Sequence, residues 1–106
     1  MTLFQILTDP ESGLGIPVAY SHFKDGEVPE APPYAVYLGA GQDTTPADND
    51  YVYRRNRYRI EYYFTEKNEE QEAAIEDLLL KNGYLYQKSE DVYIEEMGVF
   101  VIYYEV

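Results

Sequence analysis

Residues 51–65, YVYRRNRYRIEYYFT, contain the pattern that decides the fold of this chain. Four of the eight basic residues of the protein fall within six positions of this stretch, at Arg54, Arg55, Arg57 and Arg59. Apolar and aromatic side chains then recur at every second position, at Tyr58, Ile60, Tyr62 and Phe64. Because successive side chains of a β-strand point to opposite sides, this alternation predicts a strand with one core face and one charged face. At roughly 3.3 Å per residue the stretch would reach about 50 Å, so we expect a bend near Asn56 or a tip that projects from the body.

The chain before this strand predicts a short helix, two strands and a long loop. Residues 2–8 have apolar side chains at helical spacings, and the Asp9-Pro10 pair ends the pattern. Residues 16–23 and 34–38 are rich in β-forming residues and predict two strands. Residues 42–50, QDTTPADND, lack apolar periodicity and predict a loop. We expect this loop and its flanks, at about residues 40–56, to project from the body as a hairpin.

The chain after the arginine-rich strand predicts one well-marked helix and two further extended regions. Asn68 is a favourable N-cap, Gln71 completes a capping box, and Gly83 supplies the stop. The helix should therefore span about 14 residues. Its apolar face points inward, and we expect three polar side chains to turn outward: Gln71, Glu72 and Glu76. Residues 84–94 predict a bulged or split extended region, and residues 99–106 a strand in the centre of the sheet.

These segments together predict a single α+β domain that covers residues 1–106. The element order is α-β-β-β-α-β-β. Strands that follow one another as hairpins predict a mostly antiparallel sheet of four to five strands, with the helices packed on one face.

The charge and the composition exclude several classes of function. The chain has 20 acidic and 8 basic residues, a net charge of −12, which disfavours a specific nucleic-acid binder and contact with anionic membranes. The absence of cysteine excludes thiolate metal sites and cysteine nucleophiles. The sequence shows no signal peptide and no membrane span, so we expect a soluble protein made in the cytoplasm. Its 13 tyrosines, with 4 phenylalanines and no tryptophan, are typical of surfaces that contact other proteins.

No motif in the sequence predicts catalysis, a cofactor or a metal. The single histidine, His22, has no serine, cysteine or second histidine in a known nucleophile motif, so we expect a structural role. Asp43, Asp48 and Asp50 offer oxygen ligands, but their spacing lacks the glycine and the distal glutamate of a calcium loop. We interpret them as turn residues and surface charge, and we predict that the protein is not an enzyme.

Two interpretations of the arginine cluster remain open. In the first, Arg57 and Arg59 form ion pairs across strands or with Glu95, Glu96 or Glu105. In the second, Arg54 and Arg55 face an acidic partner, or DNA that passes through the lumen of a ring. Ion pairing within or between subunits is favoured, because the guanidinium fork suits carboxylates. The candidate interface residues of this region are Asp48, Asp50, Tyr51, Tyr53, Arg54, Arg55, Arg57 and Arg59.

The order of several short motifs resembles that of a known family. These motifs are GIPVAY at 15–20, PPYAVYL at 32–38, ADN at 47–49, RYRIEY at 57–62 followed by an acidic helix, and YIEE at 93–96. Nearly the whole chain is similar to the tail-terminator, or tail-completion, proteins of siphophages and Gram-positive prophages.

This resemblance implies an α+β protomer and no catalytic residues. It implies a homo-oligomeric ring, usually six-fold, that caps the head-proximal end of the tail tube and docks to the head connector. The protein would then belong to the virion and would be present in the host cytoplasm during assembly. A head-completion or adaptor protein of the neck remains an alternative, as does a small acidic adaptor or DNA-mimic inhibitor.

Overall fold

The arginine-rich segment is an inner strand of the sheet. The structure is a computed structural model that describes residues 2–26, 29, 31–46 and 52–106. Within these residues the elements are α1 (Leu3–Thr8), β1 (Val18–Tyr20), β2 (Tyr34–Pro46), β3 (Val52–Phe64), α2 (Glu69–Lys81), β4 (Gln87–Lys88), β5 (Val92–Ile94) and β6 (Val99–Glu105). The architecture is α+β.

The strands form one mixed sheet in the order β1-β2-β3-β6-β4, and β5 also pairs with β6. Every pairing is antiparallel except that of β1 with β2, which is parallel. The described residues thus contain six strands, more than the predicted four to five, because the extended region at 84–94 is split into β4 and β5. The parallel pair was not predicted either. Residues 21–33 connect β1 to β2, and about a dozen residues suffice to carry a chain back to the same end of a sheet.

Both helices cover the same face of the sheet. The alternation in β3 is confirmed, since Ile60, Tyr62 and Phe64 are buried on this face. Burial of such a side chain contributes roughly 1.5–3 kcal/mol. On the neighbouring strand β6, Tyr104 pairs with Ile60 and Ile102 pairs with Tyr62. The helices contribute their apolar stripes to the same core: Leu3, Ile6 and Leu7 from α1, and Ile75, Leu78 and Leu79 from α2.

The start of α2 after Asn68 is confirmed. The Asn68 side chain accepts a hydrogen bond from the Gln71 backbone N–H at 3.1 Å, and the helix has 13 residues. The predicted capping box is wrong in its second half, because the Gln71 side chain donates to the Leu14 carbonyl at 3.4 Å instead. The predicted outward position of Glu72 is wrong, because this side chain is 2% exposed. It lies three residues before Ile75 and seven before Leu79, so helical geometry places it on the buried side.

The prediction of a loop at residues 42–50 is wrong for its first half, because β2 continues to Pro46. Residues 42–46 pair with residues 52–56 of β3, so together they form a two-stranded hairpin. We call residues 40–46 and 52–57 the arm. The described side chains of 41–46 and 53–56 are all exposed. A strand with solvent on both faces needs no apolar alternation, so the sequence pattern did not predict a strand here.

A β-bulge marks the base of the arm. Gly39 pairs with Tyr58 and Gln42 pairs with Asn56, so residues 40 and 41 together face Arg57. Gly41 has φ 101°, a conformation that residues with a Cβ rarely adopt. Because a bulge bends its strand and increases the local twist, the irregularity expected near Asn56 lies on the partner strand.

Candidate interaction surface

The arm extends beyond the pairing of the central strands. The last hydrogen bonds between β3 and the end of β6 join Tyr58 and Val106, at 3.1 and 2.9 Å. In the described part of the chain no strand pairs with residues 52–57 on that side, or with residues 40–46 on the other. Unpaired strand edges offer backbone N–H and C=O groups to another chain. The longest dimension of the molecule is 52 Å, against 31 and 29 Å for the other two.

Arg57 and Arg59 are held in a shared ion-pair network at the base of the arm. Both guanidinium groups approach the Glu105 carboxylate, at 3.7 and 3.6 Å, and Arg57 also lies 3.8 Å from Asp43. The predicted pairing with Glu105 is therefore present, while Glu95 and Glu96 are not partners of these arginines. All of these side chains are roughly 40–60% exposed, so each pair contributes about 0–1 kcal/mol. Arg59 also lies over the Tyr103 ring, 5.7 Å from its centroid.

Arg54 and Arg55 are exposed farther along the arm. Neither forms a salt bridge with any residue that the structure describes. Their neighbour Tyr53 is 71% exposed. The arm therefore presents two arginines and a tyrosine to solvent. The other predicted interface residues, Asp48, Asp50 and Tyr51, lie outside the described residues.

A cleft of about 320 Å³ lies where the arm leaves the body. Arg55, Arg57, Asp43 and Glu105 line it together with residues 85–87. The lining thus combines two arginines with two carboxylates.

The sheet face opposite the helices has an aromatic groove of about 250 Å³ at the end away from the arm. Tyr34 and Tyr63 face each other across β2 and β3 and stack with centroids 5.0 Å apart. Phe23 meets Tyr34 edge-on at 5.6 Å. Val36 forms part of the floor, and Met97 lies at one side with 54% of its surface exposed. We call these five residues the aromatic groove.

Glu72 is the centre of a second charged cluster, which the sequence analysis missed. Lys67 Nζ donates to Glu72 Oε1 at 3.0 Å and lies 2.8 Å from Oε2, although only the first contact has hydrogen-bond geometry. Lys88 Nζ donates to Glu72 Oε1 at 2.9 Å and lies 2.9 Å from Glu76 Oε2. The Tyr104 hydroxyl donates to Glu76 at 2.7 Å. The cluster thus ties α2 to β4 and β6.

The protonation of this cluster favours a structural role. Burial disfavours the charged carboxylate, but hydrogen bonds from Lys67 and Lys88 outweigh it and hold the pKa of Glu72 below its usual 4.5. Burial likewise opposes the ammonium charge of Lys88, yet Glu72 and Glu76 raise its pKa above the usual 10.5. The hydrogen bond to Glu72 raises the pKa of Lys67. A lysine acts as a nucleophile or base only when neutral, so these lysines are poorly suited to such chemistry.

The other candidate residues do not form a site together. His22 is exposed at the border of the aromatic groove, and its Nδ1 lies 3.4 Å from the Oγ of the adjacent Ser21. Asp43 belongs to β2 rather than to a turn, and it stands opposite Arg55. Among the residues with a described position, no three His, Cys, Asp or Glu side chains are grouped as a metal site would need. In that same part of the chain no helix is long and apolar enough to span a membrane.

Comparison with known proteins adds no relative: no family, no curated protein and no solved structure matches this chain. The arm and the aromatic groove therefore have to be interpreted from their own chemistry.

Proposed function

We propose that this protein is a structural component of a phage virion at the head–tail junction. In this proposal it is a tail terminator: identical copies form a ring, expected to be six-fold, that caps the tail tube and docks to the head connector. The resemblance of the short motifs given above to the tail-terminator family supports this choice of assembly. The proposal assigns no catalytic chemistry and no cofactor to the chain.

The arm is the observation that carries the proposal. It exposes Arg54, Arg55 and Tyr53 on a chain whose net charge is −12. Arginine and tyrosine are enriched in protein interfaces, and a guanidinium fork binds a carboxylate well. The described strands of the arm carry three arginines and one aspartate, so they complement the acidic body of another copy, although the connecting residues 47–51 add Asp48 and Asp50. A contact between two unlike surfaces closes into a ring when the rotation between neighbours permits it.

The same charges oppose assembly in dilute solution. Each copy repels the next through its net charge, and this repulsion is long-ranged at low ionic strength. We therefore expect little assembly of the free protein at low salt, and more at high protein concentration or on the end of a tail tube. Native mass spectrometry and negative-stain images over a concentration series measure this directly.

The decisive experiment is to remove the protein from the phage or prophage that encodes it and to measure tail length. A terminator stops tube growth, so its loss should give tubes of variable, excessive length without heads. Restoring the protein should restore uniform length. Tails of normal length that lack heads would favour the alternative of a head-completion protein, and intact virions would refute a role at the junction.

A further inference from the structure

We propose that the arms of neighbouring copies pair edge to edge, so that β3 of one arm adds to β2 of the next arm as an antiparallel strand. This inference rests on the proposed ring and identifies the surface through which its copies meet. It concerns the described strands of the arm, residues 42–46 and 52–56.

The arm gains stability from a further strand. It is a two-stranded ladder of five residue pairs, and the described side chains of 41–46 and 53–56 are all exposed. An isolated two-stranded hairpin is only marginally stable in water. Both outer edges of the arm are unpaired in the described part of the chain, so each edge can take a strand from another copy.

The free backbone groups on the β3 edge of the arm follow from the hydrogen bonds at its base. Tyr58 exchanges two backbone hydrogen bonds with Val106, which follows β6, at 3.1 and 2.9 Å. Successive residues of an antiparallel strand direct their N–H and C=O groups to opposite edges. Asn56 and Arg54, two and four residues before Tyr58, therefore direct these groups away from β2, to the open edge.

The free backbone groups on the β2 edge follow from the register. Asn56 pairs with Gln42, and Arg54 pairs with Thr44. In an antiparallel ladder, residues opposite each other either exchange both hydrogen bonds or both turn their groups outward. Gln42 and Thr44 therefore offer their N–H and C=O groups at the outer edge of β2. When two arms lie side by side and point the same way, Arg54 of one copy can exchange hydrogen bonds with Thr44 of the next, and Asn56 with Gln42.

The side chains favour this pairing over the pairing of two β3 edges. Asp43 stands opposite Arg55 within one arm, and the same register between copies places each Arg55 between two aspartates. Gln42 Nε2 donates to Asn56 Oδ1 at 2.8 Å, and this amide pair also recurs between copies. Two β3 edges would instead bring the arginines of both copies together, and like charges on facing strands are destabilising.

The contact has the symmetry that a ring requires. It joins the β3 edge of one copy to the β2 edge of the next, so it is head-to-tail and leaves each copy with one further edge to use. Two β2 edges would close a pair of copies and end the assembly there.

The contact also lies in a part of the molecule that carries no net charge. Residues 40–57 contain three aspartates and three arginines, so the net charge of −12 belongs to the rest of the chain. Neighbouring arms therefore approach each other without the repulsion that acts between the bodies.

Amide hydrogen exchange tests the edge assignment in the unaltered chain. In the monomer the outward amides, those of Gln42, Thr44, Arg54 and Asn56, should exchange faster than the alternate amides at 43, 45, 53 and 55, which bond within the arm. In the assembled protein, free at high concentration or on tail tubes, the four outward amides should exchange at least about tenfold more slowly than in the monomer. The alternation should then disappear.

Proline substitution tests which edges meet. Thr44→Pro and Arg54→Pro each remove an outward N–H and leave the hydrogen bonds within the arm in place. Each variant alone should self-associate about tenfold more weakly or not at all, because one of its two edges is blocked. An equimolar mixture should form a dimer and nothing larger, since the intact β3 edge of one variant still fits the intact β2 edge of the other.

The matched controls are Thr44→Ala and Arg54→Ala, which change the same side chains but keep the N–H groups. They should lose far less association than the proline variants. Native mass spectrometry gives the oligomer, and circular dichroism shows that each variant is folded.

The outcomes separate this contact from the proposed function. If Thr44→Pro assembles as well as Thr44→Ala, or if the four outward amides still exchange rapidly in rings of the unaltered chain, the strand pairing is wrong and the terminator proposal stands. Self-association of Arg54→Pro alone would assign the contact to two β2 edges and overturn the head-to-tail pairing. Confirmed strand pairing in a protein whose loss leaves virions intact would overturn the proposed function and keep the contact. An unaltered chain that forms no ring at any concentration, alone or on tubes, would overturn both.

Discussion

Replacement of Glu72 by glutamine removes the charge from the cluster beneath α2 and should destabilise the fold. This buried carboxylate accepts two hydrogen bonds from lysine ammonium groups, at 3.0 and 2.9 Å. Hydrogen bonds to charged groups contribute roughly 1.5–3 kcal/mol each. Lys67 and Lys88 are 44% and 33% exposed, however, so water screens the interaction and can solvate both ammonium groups in the variant.

The net loss should be about 1–2 kcal/mol, because the amide preserves the shape of the side chain and still accepts one hydrogen bond. For a domain of about 100 residues this lowers Tm by roughly 5–10 °C. Urea or guanidinium unfolding followed by circular dichroism measures the change. The control is Asp77→Asn, which removes a charge from an exposed position of the same helix and should change stability by less than about 0.5 kcal/mol.

The pH dependence gives a sharper test of the same cluster. The pKa of Glu72 is below 4.5 in the folded protein. A carboxyl group with a lowered folded pKa stabilises the fold above its unfolded pKa, and this contribution is lost as the pH falls through the folded value. The difference in unfolding free energy between wild type and Glu72→Gln should therefore be largest at about pH 7 and should decrease as the pH falls below about 4.5. An equal stability of the two proteins at neutral pH, or a difference that persists unchanged in acid, would refute this account.

Three further predictions concern the core, a tight turn and the arm. Tyr104→Phe keeps the ring but removes the 2.7 Å hydrogen bond to Glu76, so it should cost about 1 kcal/mol in denaturant unfolding; an unchanged midpoint would show that water replaces the bond. Gly13→Ala should cost about 1–3 kcal/mol, because a Cβ there would lie 2.6 Å from the Asp9 backbone oxygen, whereas Gly39→Ala, which meets nothing closer than 3.7 Å, should cost less. The amides of the arm should exchange with solvent much faster than those of Ile60 and its neighbours in a protein shown to be monomeric, because the arm has no core to protect it; strong protection there would contradict its independence from the body.

Much of the fold follows from local patterns. The alternation at residues 58–64 and the capped, amphipathic helix after Asn68 correctly predicted β3 and α2, because the period of a strand or helix is a property of the chain itself. Residues 99–106 were correctly predicted as an inner strand for the same reason: both faces are apolar, and β6 is flanked by β3 on one side and by β4 and β5 on the other. The arginine cluster and the net charge are likewise visible before any folding.

Tertiary structure alone decided which distant segments meet. Residues 42–46 contain no apolar signal, and they are strand only because residues 52–56 supply hydrogen-bonding partners. Glu72 is buried because Lys67 and Lys88 converge on it from outside the helix, so a residue type that usually faces water could enter the core. The aromatic groove joins Phe23, Tyr34 and Met97, which are far apart in the chain. Periodicity reports the face on which a side chain lies, but the partner of that face depends on packing between segments that share no local pattern.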